Sequence, residues 1–440
     1  MGASTSVTPD QKINTKNYFE LRRIYSYHID SFKALYQLKT EDAEELNKIY
    51  NMVKTNLIDT KIYFPKTIMR DILNIIQYNN RYAKSYLKLV KRISDEYHEK
   101  EVRDVPLIVI CLFEKEYGFR LDTYNPYRFE VNENIDIHSE NTIYRAIMYD
   151  DKERFIYFTE SDRFDKDQKL KSSLYPNYGG HSLLELCCYH GAVDCFKLLR
   201  TKFNSEITQK CLEYSFLGGN PEIMSECLKY QKPNIDCMIC AIISHNIDFV
   251  TFLMNEYNIN IYVDCCIKYK NLESFLVYLD QTDSIKRCFD YSVMFNIPSL
   301  CEYFLSLGVD INQKNGSTAL HITAQYNFTE VAEFLLLHGA NINEEDYSGK
   351  TPLRIAAHNN CREVAEILLS YGANINEKDC FGETPLIHAV LYNCKETAEL
   401  LISRGASIND KTTFGMTALQ HARENNCREI EELLLLHGAN

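Results

Sequence analysis

The sequence predicts an all-α protein, with an N-terminal helical domain followed by helical hairpins stacked into a solenoid. Three observations carry this. The run Leu337-His338-Gly339-Ala340-Asn341-Ile342-Asn343 returns with small changes, so that Gly339, Gly372, Gly405 and Gly438 stand 33 residues apart. A unit of this length cannot bury its own apolar face; neighbours must stack, and stacking yields extended surface rather than a catalytic pocket. Upstream, the small residues Cys187, Ser215, Ala241, Cys266 and Ser292 recur every 25 to 28 residues. Further upstream, apolar residues return every three or four positions, the spacing of one helix face.

The first 14 residues lack apolar periodicity and read as a flexible leader. Met1-Gly2-Ala3-Ser4-Thr5-Ser6 fits the pattern for myristoylation of Gly2. One acyl chain, supported only by Lys12, Lys16, Arg22 and Arg23, would give weak, reversible membrane association, and chance agreement with a short motif is the alternative. Residues 15–121 read as the helical domain. One helix is expected over Tyr18 to Leu38, with the stripe Leu21, Ile24, Tyr25, Ile29, Phe32 and Leu35. Thr40 with Glu41, Asp42 and Glu44 marks the next start, because anions suit the positive end of the helix dipole. Pro65 opens a third helix and Ala83 to Tyr97 forms a fourth. Residues 122–140, with Asn125-Pro126, break the periodicity and read as a linker.

Residues 141–285 read as degenerate hairpins, with Ala146 as the first small residue. The shortfall from 33 is about the length of a projecting finger, so tight turns replace the fingers. Between Ala146 and Cys187 a longer polar insertion, ending in Tyr175 to Gly180, is expected as an exposed loop.

Residues 286–440 hold the regular units. Gly349-Lys350-Thr351-Pro352-Leu353-Arg354-Ile355-Ala356-Ala357 and Gly382-Glu383-Thr384-Pro385-Leu386-Ile387-His388-Ala389-Val390 resemble the ankyrin repeat, as do looser copies around Thr318 and Thr417. Each residue has a mechanical role. The threonines cap a helix, and Pro352 and Pro385 occupy its first position, where no N–H is missed. The glycines allow the left-handed turn that ends the second helix. The resemblance implies helix pairs with short β-hairpin fingers. From about 416 the last unit reads as a cap, since Arg423 and Glu431 put charge where a following repeat would pack.

The layout as a whole, with Ser182 to Lys197, Phe216 to Met224 and Ile243 to Phe249, resembles the expanded ankyrin-repeat proteins of trichomonad parasites, in which a domain of unknown function precedes regular repeats. That resemblance implies an intracellular interaction role and supplies no catalytic residue.

Composition narrows the function. The net charge is -13, and residues 309–440 hold 18 acidic against 10 basic side chains, which repels phosphate backbones; no nucleic-acid partner is expected. No run approaches the length of a membrane span. Sixteen cysteines without a secretory signal read as reduced thiols of a cytoplasmic protein. Cys237 and Cys240 have the spacing of a metal or redox pair, but on a helix where other hairpins carry alanine or serine they read as small core residues. His321 falls at the framework histidine of the ankyrin pattern. No nucleophile–base order, phosphate loop or paired-carboxylate motif stands out, so no catalytic residue, metal or cofactor is expected.

What varies among the copies points to the contact face. Tyr326, Tyr347, His358, Phe381, Tyr392 and Phe414 lie at changing positions, on finger tips and inner helices of the concave side, and read as anchors for a protein partner. The expected function is a non-enzymatic adaptor. The alternatives are a scaffold or oligomer assembled through the N-terminal helices, and an enzyme hidden within them. Neither the partner nor the oligomeric state is legible.

Overall fold

The computed structural model describes residues 18–121, 135–162, 164–176 and 179–440, so Gly2 and most of the 122–140 segment lie outside the described residues. Two compact units are present, Tyr18–Gln281 and Thr282–Asn440.

The first unit opens with six helices: α1 (Tyr18–Ile24), α2 (Ser26–Tyr36), α3 (Ala43–Val53), α4 (Pro65–Ile75), α5 (Ala83–Tyr97) and α6 (Leu107–Tyr117). The single helix expected from Tyr18 is two, separated by Tyr25, whose backbone leaves the helical region. The reason is packing: α1 lies along the last helix of the unit, while α2 touches that helix and also packs on α3 and α4. Asp42, rather than Thr40, caps α3. Its carboxylate accepts the N–H groups of Glu44 and Glu45 at 3.0 Å, and Thr40 in turn holds the Asp42 N–H.

Five helix pairs follow: α7/α8 (Ile143–Met148, Lys152–Thr159), α9/α10 (Leu183–His190, Val193–Phe203), α11/α12 (Gln209–Gly218, Pro221–Leu228), α13/α14 (Ile235–Ile243, Ile247–Tyr257) and α15/α16 (Val263–Lys268, Leu272–Gln281). The first helix of each pair packs on the first helix of the next. The α1–α6 layer docks on the turns between paired helices. Gln37 donates to the carbonyls of Ser244 and His245 and Arg81 to that of His190, while Asn80 donates to that of Leu174 in the insertion before α9.

The insertion before α9 is not a free loop. Strands β1 (Lys169–Leu170) and β2 (His181–Ser182) pair antiparallel, and Tyr175 is buried with its hydroxyl 2.9 Å from His190 Nε2. An aromatic ring able to satisfy its hydroxyl inside the unit gains more from burial than from solvent. Ser182 then starts α9 through a capping box with Glu185.

The second unit holds five more pairs: α17/α18 (Ile285–Val293, Pro298–Ser306), α19/α20 (Ala319–Tyr326, Thr329–Leu337), α21/α22 (Pro352–His358, Arg362–Ser370), α23/α24 (Pro385–Leu391, Lys395–Ser403) and α25/α26 (Ala418–Glu424, Arg428–Leu436). Their fingers are shorter than the β-hairpins expected. Beyond the isolated bridges Asn315↔Ser317 and Lys411↔Thr417, the second and third are turns closed by two backbone bonds each, from Asp346 to the Lys350 carbonyl and Gly349 to that of Asp346, and from Asp379 to the Glu383 carbonyl and Gly382 to that of Asp379.

One device recurs in all ten pairs. Asp150, Gly191, Gly219, His245, Lys270, Asn296, Asn327, Asn360, Asn393 and Asn426 sit between the paired helices at φ between +50° and +68°. Four positions before each stands a buried small residue: Ala146, Cys187, Ser215, Ala241, Cys266, Ser292, Thr323, Ala356, Ala389 and Ala422. The left-handed residue reverses the chain and the small one lets neighbouring inner helices approach. In seven pairs the N–H after the left-handed residue returns to the carbonyl of the small one at 2.7–3.0 Å.

Candidate protein-binding face

The frame that presents this face is rigid at both ends of each inner helix. Thr384 and Thr417 accept the N–H groups of Ile387 and Gln420. His321 bonds its own cap, Thr318, through Nδ1 and reaches the Lys350 carbonyl of the next repeat through Nε2 at 2.9 Å. Arg354 takes the same position one repeat on: nearly fully buried, it donates to the Gly349 carbonyl at 2.7 Å and lies 4.0 Å from Asp379. At the other end, Asn327 and Asn360 accept N–H groups from Val364 and Thr397, so each turn caps the outer helix of the following repeat.

On this frame the expected contact residues fall in two rows. Tyr347, Phe381 and Phe414 stand on the fingers, 78, 53 and 78% exposed. The fingers are tied in two pairs, the first to the second by Tyr347 N–H to the Gly316 carbonyl and the third to the fourth by Thr413 N–H to the Phe381 carbonyl. Tyr326, His358 and Tyr392 lie at the far ends of their inner helices, about one helix length (roughly 10 Å) away. Tyr326 and Tyr392 are 47 and 54% exposed. His358 packs on the Tyr392 ring, centroids 3.7 Å apart, and Tyr326 stacks on Phe328. These contacts fix ring orientation before any partner arrives.

A polar cluster that the sequence did not reveal lies in the third finger. Asp379 Oδ1 accepts the N–H groups of Phe381 and Glu383 at 2.9 and 2.8 Å. Its Oδ2 faces His388 Nε2 at 3.3 Å, and Glu383 Oε2 is 3.3 Å from the same nitrogen. Burial pushes the His388 imidazole down to about 4 despite Asp379. Burial and the Asp379 charge raise Glu383. Burial opposes ionisation of Asp379, but its backbone and His388 bonds outweigh it and hold the carboxyl below its usual range. The signal was that Glu383 and His388 depart from the frame, where Lys350 and Ile355 stand one repeat earlier.

Elsewhere, Cys237 and Cys240 are buried along α13, and burial raises both thiols, Cys237 to about 12. The first unit has a polar cleft of about 380 Å³ lined by Tyr36, Lys39, Arg81, His190, Gly219 and Asn220 among others. Its histidine is engaged by Tyr175 and held well below neutral titration by burial, which makes it a poor general base.

Comparison with known families agrees with this architecture. Residues 203–278 match the Domain of unknown function (DUF3447), over the pairs that lack fingers, and residues 289–379 and 375–440 match Ankyrin repeats (3 copies). Residues 289–440 are ankyrin repeats, preceded by that domain of unknown function. No curated protein matches it. Ankyrin repeats are generally protein–protein interaction modules and typically not enzymes. Among the described residues no helix is long and apolar enough to cross a membrane.

Proposed function

We propose that this ankyrin-repeat protein is a non-enzymatic adaptor that holds a protein partner on the fingers and inner-helix ends of residues 312–425. The observation that carries the reading is the row of exposed rings Tyr347, Phe381 and Phe414 on successive fingers, the last two fingers joined by a backbone bond. Exposed aromatics on a rigid frame contribute much of the energy at interfaces and lose little entropy on binding. Tyr326 and Tyr392, with His358 beneath Tyr392, extend the contact to a second row. Affinity capture with the full chain and with a Tyr347→Ser/Phe381→Ser/Phe414→Ser variant tests this. Partners lost from the triple variant, with helical content unchanged, support the face; partners retained in full would rule it out.

The scaffold reading has less support, since the apolar stripes of α2, α4 and α5 are buried within their own unit. A cytoplasmic location fits the sixteen unbonded thiols. Myristoylation of Gly2 is tested by Gly2→Ala, which should abolish sedimentation with membranes if the acyl chain is present.

A further inference from the structure

We propose that Asp379, Glu383 and His388 form a binding site for one divalent transition-metal ion, with zinc the best match to its donors. One donor atom from each lies within 4.8 Å of the others. The two edges that meet at His388 Nε2 are both 3.3 Å. Tetrahedral zinc with bonds of about 2.0–2.1 Å places its donors about 3.3–3.4 Å apart, so the side chains already stand at ligand spacing. Asp379 is suited to divide its work. Oδ1 is engaged by the finger backbone, which orients the carboxylate as outer bonds commonly do for a ligand, and Oδ2 meets His388 Nε2 in a contact that a shared ion would replace.

The repeat frame supplies Asp379, matched by Asp346 with the same two backbone bonds one repeat earlier, but not its two companions. At the His388 position the two preceding repeats have Ile322 and Ile355, and at the Glu383 position they have Ser317 and Lys350. An imidazole has replaced an aliphatic side chain at a buried place, beside a second carboxylate. Arg354 balances one of the two negative charges at most, which leaves room for a cation. His421, in the register of His388 one repeat on, interacts electrostatically with Glu383, and its buried Nε2 has no hydrogen-bond partner among the described residues, but its ring lies outside the 4.8 Å trio. The protein therefore supplies three donors and leaves the fourth position of a tetrahedral ion to solvent. The ion would clamp both sides of the finger that carries Phe381, since Asp379 and Glu383 flank that residue.

Cobalt(II) serves as the probe, because tetrahedral cobalt absorbs in the visible and thiolate ligation adds a separate near-ultraviolet charge-transfer band. The full chain, stripped with chelator and reduced, is titrated with Co²⁺ and then displaced with Zn²⁺. We expect one Co²⁺ per chain with visible bands and no thiolate band, and about a tenfold or greater loss of affinity in both Asp379→Asn and His388→Gln. Absence of binding, a thiolate band, or wild-type affinity in either variant would overturn the site. Circular dichroism checks each variant; should His388→Gln not fold, Glu383→Gln, at the most exposed of the three ligands, replaces it with the same expectations.

Discussion

Gly218 shows how much one atom matters here. A Cβ at this position would stand 2.2 Å from the Cys188 carbonyl oxygen, which belongs to the backbone of the neighbouring inner helix and cannot swing away. Gly218→Ala should therefore destabilise the first unit by about 1–3 kcal/mol, the usual range for overpacking, seen as a lower urea midpoint; an unchanged midpoint would refute the close contact. His28 and His245 give a pH signature. Burial, aided for His28 by Lys270 and His245 and for His245 by Lys33, pushes both down to about 3, with the Tyr269 carbonyl opposing only in part at His245. A histidine kept neutral when folded takes up a proton on unfolding. Its contribution to stability is full above its unfolded pKa of about 6.5 and is lost as pH falls toward 3. Between pH 7 and pH 5 each should remove about 2 kcal/mol, and His245→Gln should flatten the dependence of the urea midpoint on pH. The sequence did not disclose these environments. His245 stacks on Tyr36 and His28 meets the Tyr63 hydroxyl, and such pairings leave no periodic trace.

At the scale of helices and turns, the 3.6-residue pattern and the cap residues were enough to place most elements, because each reports on its own few neighbours. Ala83–Tyr97 and the Pro65 start agree with the sequence reading. The small residues Ala146 through Ser292 marked the pairs correctly because close approach of inner helices tolerates nothing larger. The break at Tyr25 was hidden, since the apolar spacing runs on across it. The burial of Tyr175 was hidden as well, because Pro176 and Gly180 announce a turn but not what the turn covers. The same limit applies to Asn360, whose importance lies 37 residues away at Thr397. Replacing Asn360 by Ala should cost about 1–3 kcal/mol, from the lost helix cap together with an alanine held at the left-handed φ of +55°, and a loss of hydrogen-exchange protection is expected at the start of Lys395–Ser403. Protection unchanged there would mean that the cap is dispensable.

For the molecule as a whole, repeats with a fixed frame and changing tips make the proposed contact positions legible by subtraction, while the partner itself is not, since one frame serves unrelated targets. The Asp379–Glu383–His388 cluster escaped because its members are side-chain neighbours across a turn rather than a spaced motif. The first unit carries another consequence. Tyr18 and Arg22 bond Glu273, more than 250 residues later, and the α1–α6 layer fills the turns of pairs that follow it in the chain. During synthesis at about 5–20 residues per second, Tyr18 must therefore wait on the order of ten seconds or more before its partner emerges from the ribosome. Until then the sticky side of the early helices has nothing of its own to cover it, and the nascent chain is at its most dependent on chaperones.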